Sequence, residues 1–247
     1  MTPLVLVHGV GLDRHMWAPF AAAIGRPVVS YDMLGLGDAP KPTGPYTLSM
    51  YSQQLAEVVE ALDARTADVV GFSMGALVAQ RFAIDHPGLV HRLVLVSGVY
   101  HRTAAERAAI VARVAEVRAG AYLDSVGPAL ERWFTPGFAG SNPGAVAAVR
   151  ERMLANEVQP YANAYEVFAT GDEELVPLVG RIAAPTLVVT GEDDQRSTPL
   201  MTEQLAAALP HGRAVVLPGV RHLLPIERPD LLAELVRDFL HDSEEDQ

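Results

Sequence analysis

The stretch Asp68-Val69-Val70-Gly71-Phe72-Ser73-Met74-Gly75-Ala76-Leu77-Val78-Ala79-Gln80 constrains this chain more than any other. A short apolar strand runs into a Gly-x-Ser-x-Gly turn, and helical spacing follows in Leu77, Val78, Arg81 and Phe82. In a strand-turn-helix of this kind the two glycines let strand and helix approach without Cβ clashes. The Ser side chain is thrust out at the turn, where it is available as a nucleophile. The pattern also arises by chance in chains with this Gly and Ser content, so the loops elsewhere must decide what Ser73 does.

The flanking sequence supplies a frame of alternating strands and helices. Fully apolar runs at residues 4–7, 27–31, 92–97 and 185–190, with 213–217 near the end, read as strands buried on both faces. Helices are expected at 15–24, 46–62, 198–209 and 229–240, which implies a mostly parallel sheet covered on both sides. Between residues 100 and 171 the rhythm stops. That stretch holds only helical patterns such as 103–118, broken by Gly127-Pro128 and by the Gly/Pro-rich run 136–144. A helical block inserted between two strands is expected to form a lid over the carboxyl edge of the sheet, where ligands bind in open α/β folds. The expected division is therefore a core of residues 1–98 and 172–247 with a helical cap of residues 99–171.

Composition narrows the possible partners. Thirty acidic against nineteen basic residues give a net charge of -11, which disfavours nucleic acid and anionic membranes. There is no cysteine, which excludes disulfides, thiolate metal sites and a cysteine nucleophile. The first residues lack a basic segment, and their apolar run is too short for a secretion signal, so a cytoplasmic protein is expected. The final run, Asp242-Ser243-Glu244-Glu245-Asp246-Gln247, reads as an acidic tail.

Two further loops follow predicted strands. Gly191-Glu192-Asp193-Asp194 offers carboxylates, with Asp193 and Asp194 competing and Glu192 third, and Gly219-Val220-Arg221-His222 offers an imidazole. Serine needs a base to take its proton, and the base needs a third group to hold its tautomer. His222 stands after the last strand and before the final amphipathic helix, which makes it the candidate base. The chain order Ser, acid, His is that of the α/β-hydrolases.

Five motifs in order carry a resemblance to that superfamily over almost the whole chain. Val7-His8-Gly9-Val10-Gly11 resembles its oxyanion loop, Asp32-Met33-Leu34-Gly35-Leu36-Gly37 its Asp-x-x-Gly-x-Gly loop, and Gly71 to Gly75 its nucleophile elbow. The acid loop resembles one in which the aspartate three after the Gly is catalytic, which points to Asp194. The segment Gly219 to Pro229 resembles its Gly-x-x-His stretch, which points to His222. The resemblance thus implies a Ser73-His222-Asp194 triad, with the backbone N–H groups of Val10 and Met74 as the oxyanion hole. Family members usually carry a pair of strands before the His-Gly strand. Only residues 1–3 stand there here, so the sheet is expected to lack its first two strands, with the lid after the sixth family strand.

Within the superfamily, Glu131-Arg132-Trp133-Phe134-Thr135-Pro136-Gly137-Phe138, the run 149–154, Tyr161-Ala162 and His15-Met16-Trp17 resemble the 3-oxoadipate enol-lactonase and aminoacrylate hydrolase branch. That resemblance implies hydrolysis of an ester or lactone of a small metabolite, with no metal or organic cofactor. Arg132 and Trp133 are the candidate pocket residues, Arg132 as a holder of a substrate carboxylate. A carbon-carbon bond hydrolase acting on a diketone and a non-catalytic receptor of the same fold are the alternatives. A small-molecule ester or lactone is the expected partner, nucleic acid and membrane are not, and a homodimer stays open.

Overall fold

The computed structural model describes residues 2–241. The acidic run 242–247, read above as a tail, lies outside the described residues.

Six strands form one sheet: β1 (Leu4–Val7), β2 (Val28–Tyr31), β3 (Ala67–Phe72), β4 (Val90–Val96), β5 (Thr186–Gly191) and β6 (Gly212–Leu217). Their spatial order is β2-β1-β3-β4-β5-β6 and every pairing is parallel. The four inner strands are the continuous aliphatic runs, and nearly every residue in them is buried. A parallel sheet covered by helices demands this, because neither face of an inner strand meets water. The outer strands β2 and β6 are only partly covered. The sheet is thus the expected one without the two leading strands of the family, and it is parallel throughout.

Eleven α-helices lie among the described residues: α1 (Ala18–Ile24), α2 (Leu48–Glu60), α3 (Met74–Asp85), α4 (Ala104–Glu116), α5 (Tyr122–Trp133), α6 (Pro136–Ser141), α7 (Pro143–Leu154), α8 (Val158–Leu175), α9 (Pro199–Ala208), α10 (Leu224–Glu227) and α11 (Pro229–His241). Helix α1 packs on α11 and α2 on α3, while α9 lies along β5 and β6. The expected helix at 15–24 begins instead as a tight 3₁₀ turn, Arg14–Trp17, because the Asp13 side chain accepts from the His15 N–H. Helix α4 starts on a reciprocal cap between Thr103 and Glu106. It ends in a wide turn, Val117–Ala121, where Gly120 takes φ 107° and the chain bends into α5.

Helices α4 to α8 occupy the interval between β4 and β5 and contain no strand. Helix α8 runs unbroken across residue 171. Near its end Gly171 comes so close to Leu48 and Leu77 that a Cβ there would meet Leu48 at 2.9 Å. The Arg102 guanidinium, buried where the chain leaves β4, donates to Asp172 and to the Phe168 carbonyl of α8. Both ends of the helical block are therefore tied together at its base. No described helix is long and apolar enough to cross a membrane.

Candidate active site

All six strands run the same way, so the loops leaving β1, β3, β5 and β6 open on one edge of the sheet. Ser73 is the single residue between β3 and α3, and it takes φ 54° and ψ -113°. This is a strained region for a residue with a Cβ. The surroundings hold it there. Its N–H donates to the Val96 carbonyl at 2.9 Å and its carbonyl accepts from the Ala76 N–H at 3.0 Å. A Cβ on Gly71 would stand 2.3 Å from the Gly75 carbonyl oxygen, and one on Gly75 would stand 2.3 Å from that of Val7. Both glycines of the turn are thus required by backbone packing.

His222 lies between β6 and α10. Its Nε2 is 3.1 Å from Ser73 Oγ and its Nδ1 is 2.7 Å from Asp194 Oδ2. All three side chains are buried. The other Asp194 oxygen accepts from the N–H groups of Arg196 at 2.9 Å and Ser197 at 3.0 Å, which aims the carboxylate. Asp193 is exposed and makes no contact with His222, and the exposed Glu192 accepts from the Gly219 N–H. Of the three competing carboxylates, the structure brings Asp194 to the imidazole.

A chain of buried hydroxyls joins the loops that carry these groups. Thr190 Oγ1 donates to the Ser197 carbonyl, Ser197 Oγ to the Ser97 carbonyl, and Ser97 Oγ to the His222 carbonyl. None of the three was marked by the sequence pattern; all are small hydroxyl side chains, Thr190 and Ser97 at or just past a strand end and Ser197 just before α9.

On the β1 side, burial lowers the pKa of His8 to about 4. The ring is neutral, so Nδ1–H donates to the Gly9 carbonyl at 2.8 Å and Nε2 accepts from the Met33 N–H at 2.9 Å. It thereby locks the loop containing Val10 to the Asp32 loop. Asp32 in turn accepts from the Arg14 and Asp38 N–H groups and from the Arg14 guanidinium. Among the described residues the N–H groups of Val10 and Met74 have no protein acceptor, so both are available as donors.

Ser73, His222 and Val10 border a cavity of about 250 Å³ that extends under α4, α5 and α8. Trp133 and Arg132 both line it. The Trp133 ring lies beside His222, with centroids 5.9 Å apart, and the Phe72 ring is a second aromatic neighbour at 5.1 Å. The end of α5 is pinned to the histidine loop: Leu223 N–H donates to the Trp133 carbonyl, and Arg221 donates to the carbonyls of Glu131 and Phe134. Arg132 is half-buried with no ion pair among the described residues. Burial, and then Arg196 and Arg113, lower its pKa. Tyr161, Tyr165 and Phe168 of α8 form an aromatic row on another wall. No group of three or more His, Asp or Glu among the described residues is arranged to hold a metal.

Residues 2–229 match the family described as alpha/beta hydrolase fold. The chain is 32% identical to an (E)-2-((N-methylformamido)methylene)succinate hydrolase of Acinetobacter baylyi, over 96% of this chain and 90% of that protein. It is 28% identical to 3-oxoadipate enol-lactonase 2 of the same organism, over 92% of this chain and 84% of the relative. The crystal structure of the enol-lactonase from Burkholderia xenovorans superposes with a TM-score of 0.89 at 30% identity, covering 97% of this chain and 92% of that one. With its all-parallel sheet, its strained Ser at the strand-helix turn and similarity along nearly its whole length to hydrolases, the chain belongs to the alpha/beta hydrolase family.

Proposed function

We propose that the protein is a serine hydrolase that cleaves an ester or enol-lactone of a small carboxylated metabolite through an acyl-enzyme. The observation that carries this reading is the file of Ser73 Oγ, the His222 ring and Asp194 Oδ2, spaced at 3.1 and 2.7 Å. His222 Nε2 takes the Ser73 proton as Oγ attacks the carbonyl carbon. Asp194, bonded to Nδ1–H, keeps the tautomer and stabilises the imidazolium. The oxyanion receives the N–H groups of Val10 and Met74, each such donor contributing about 3 kcal/mol in the transition state. His222 then returns the proton to the leaving oxygen, and in the second half it activates the water that releases the acid.

The helical block, residues 99–171, serves as the cap. Trp133 shields the imidazole, and Arg132 binds a carboxylate of the substrate. The two relatives are named for a substituted succinate and for the enol-lactone of 3-oxoadipate, both of which carry carboxylates. A cavity of about 250 Å³ sits at the small end of ligand pockets, which suits a metabolite.

Hydrolysis of p-nitrophenyl esters by wild type and Ser73→Ala tests the assignment. Replacing Ser73 should lower kcat on the order of a millionfold. Equal rates in the two proteins would refute it. Turnover of a vinylogous diketone without ester turnover would instead assign the triad to carbon-carbon bond cleavage, and ligand binding without any turnover would make the protein a receptor.

A further inference from the structure

Beyond Arg132, two more arginines line the cavity with their guanidinium groups uncommitted. Arg113 stands on α4, on the same helical stripe as Ile110 and Val117, and Arg196 stands on the loop after β5. Among the described residues none of the three guanidinium groups has an ion pair or a hydrogen bond, although the chain carries thirty carboxylate side chains. The fourth lining arginine, Arg102, is different: it is buried and neutralised by Asp172 at 2.6 Å. The two lining glutamates form no ion pair with the three cations, although Glu106 feels the charge of Arg196 through space. The Glu106 carboxylate is held by Thr103, and neither Glu106 nor the exposed Glu116 lies within ion-pair distance of Arg113, Arg132 or Arg196.

Three like charges drawn from three separate elements into one cavity repel one another, and among the described residues no carboxylate pairs with any of them; Glu131 acts on Arg132, and Glu106 on Arg196, only at longer range. Arg132 senses both of the others, which is why they contribute to the lowering of its pKa. Such an arrangement costs stability in the empty protein and returns it when an anion enters. Planar guanidinium forks are suited to carboxylates, which they bind bidentately. Arg196 also has a second tie to the site, since its backbone N–H holds the Asp194 carboxylate at 2.9 Å. The residue that aims the acid therefore also brings a cation to the cavity.

We propose that Arg113, Arg132 and Arg196 form one clamp that selects substrates bearing two free carboxylates beside the scissile bond. The proposal rests on the hydrolase reading for the position of that bond, while the clamp itself is a binding site that exists without turnover. It also accounts for how a protein of net charge -11 admits a dianion. The local field at the cavity opposes that of the rest of the surface.

Two measurements test it separately from the chemistry. In calorimetry with Ser73→Ala protein, glutarate should bind and butyrate should not, and added salt should weaken glutarate. Placed in that background, Arg113→Gln and Arg196→Gln should each weaken glutarate at least tenfold, Arg113→Lys should lose less than Arg113→Gln, and the exposed Arg65→Gln should bind as the parent does. With Ser73 intact, kcat/KM for the mono-p-nitrophenyl ester of tricarballylic acid should fall in the Arg113→Gln/Arg196→Gln double variant at least tenfold more than kcat/KM for p-nitrophenyl butyrate. Undetectable glutarate binding, or equal binding by the Arg113→Gln, Arg196→Gln and Arg65→Gln proteins, overturns the clamp. Glutarate binding that depends on these arginines, in a protein that hydrolyses no ester, upholds the clamp and refutes the hydrolase reading alone.

Discussion

His222 Nδ1 stands 2.7 Å from Asp194 Oδ2, while the second oxygen of that carboxylate is held by the backbone N–H groups of Arg196 and Ser197. The acid is thus oriented from both sides, and Asp193, its exposed neighbour, has no such role. Asp194→Asn should lower kcat by about 10⁴, because the amide disturbs the tautomer of the imidazole. Asp193→Asn should stay within about threefold of wild type, as expected for an exposed side chain. Ester hydrolysis by the two variants checks the pair, and a larger loss in Asp193→Asn would reverse the assignment.

A Cβ at position 75 would stand 2.3 Å from the Val7 carbonyl oxygen and 2.6 Å from that of His8. Backbone cannot move aside as a flexible side chain does. Gly75→Ala should therefore cost at least about 3 kcal/mol, which lowers the melting temperature by roughly 10 °C in a chain of this size. Gly137→Ala provides the contrast. It lies in α6 with nothing within 4 Å of the new methyl, and should leave the melting temperature unchanged or slightly raised.

His8 is neutral in the folded protein because burial brings its pKa down to about 4 from 6.5. Between those values the unfolded chain binds a proton that the folded chain refuses, so stability falls as pH drops from 6.5 toward about 4. From pH 7 to pH 5 this group alone should remove about 2 kcal/mol. Urea unfolding at the two pH values should show a decline smaller by that amount in His8→Gln. The same decline in both proteins would exclude His8 as the cause.

The buried pair of Arg102 and Asp172 fastens the two ends of the helical block. Asp172→Ala leaves the Arg102 charge buried, with Arg107 as its cationic neighbour, and should cost about 3–5 kcal/mol. The double variant Arg102→Met/Asp172→Leu should recover most of that loss, since no unpaired charge remains. Chemical denaturation of the three proteins measures the difference, and no recovery in the double variant would mean that the pair is needed for more than charge balance.

The legible parts of the sequence were those in which one residue type has one physical use. The runs at 4–7 and 185–190 lie within two residues of β1 and β5, because strands without a polar face must be buried. Boundaries moved where side chains intervened, as when Asp13 turned the start of a helix into a 3₁₀ turn. The contacts of Trp133 were harder to read. It sits beside His222 because Arg221 and Leu223 grip the end of α5, a contact between segments about ninety residues apart that no local pattern encodes.

Local sequence pattern is enough to place the strand-turn-helix around Ser73, the order of the acid and histidine loops after it, and the interruption of the sheet rhythm by helices. These are local or periodic properties, set by glycine sterics and by the need to bury apolar strands. Packing of distant segments sets which carboxylate meets His222, how Ser97, Ser197 and Thr190 link the loops, and that Arg113, Arg132 and Arg196 face one cavity. Those outcomes depend on distances between segments far apart in the chain, and such distances exist only once the sheet and helices have packed.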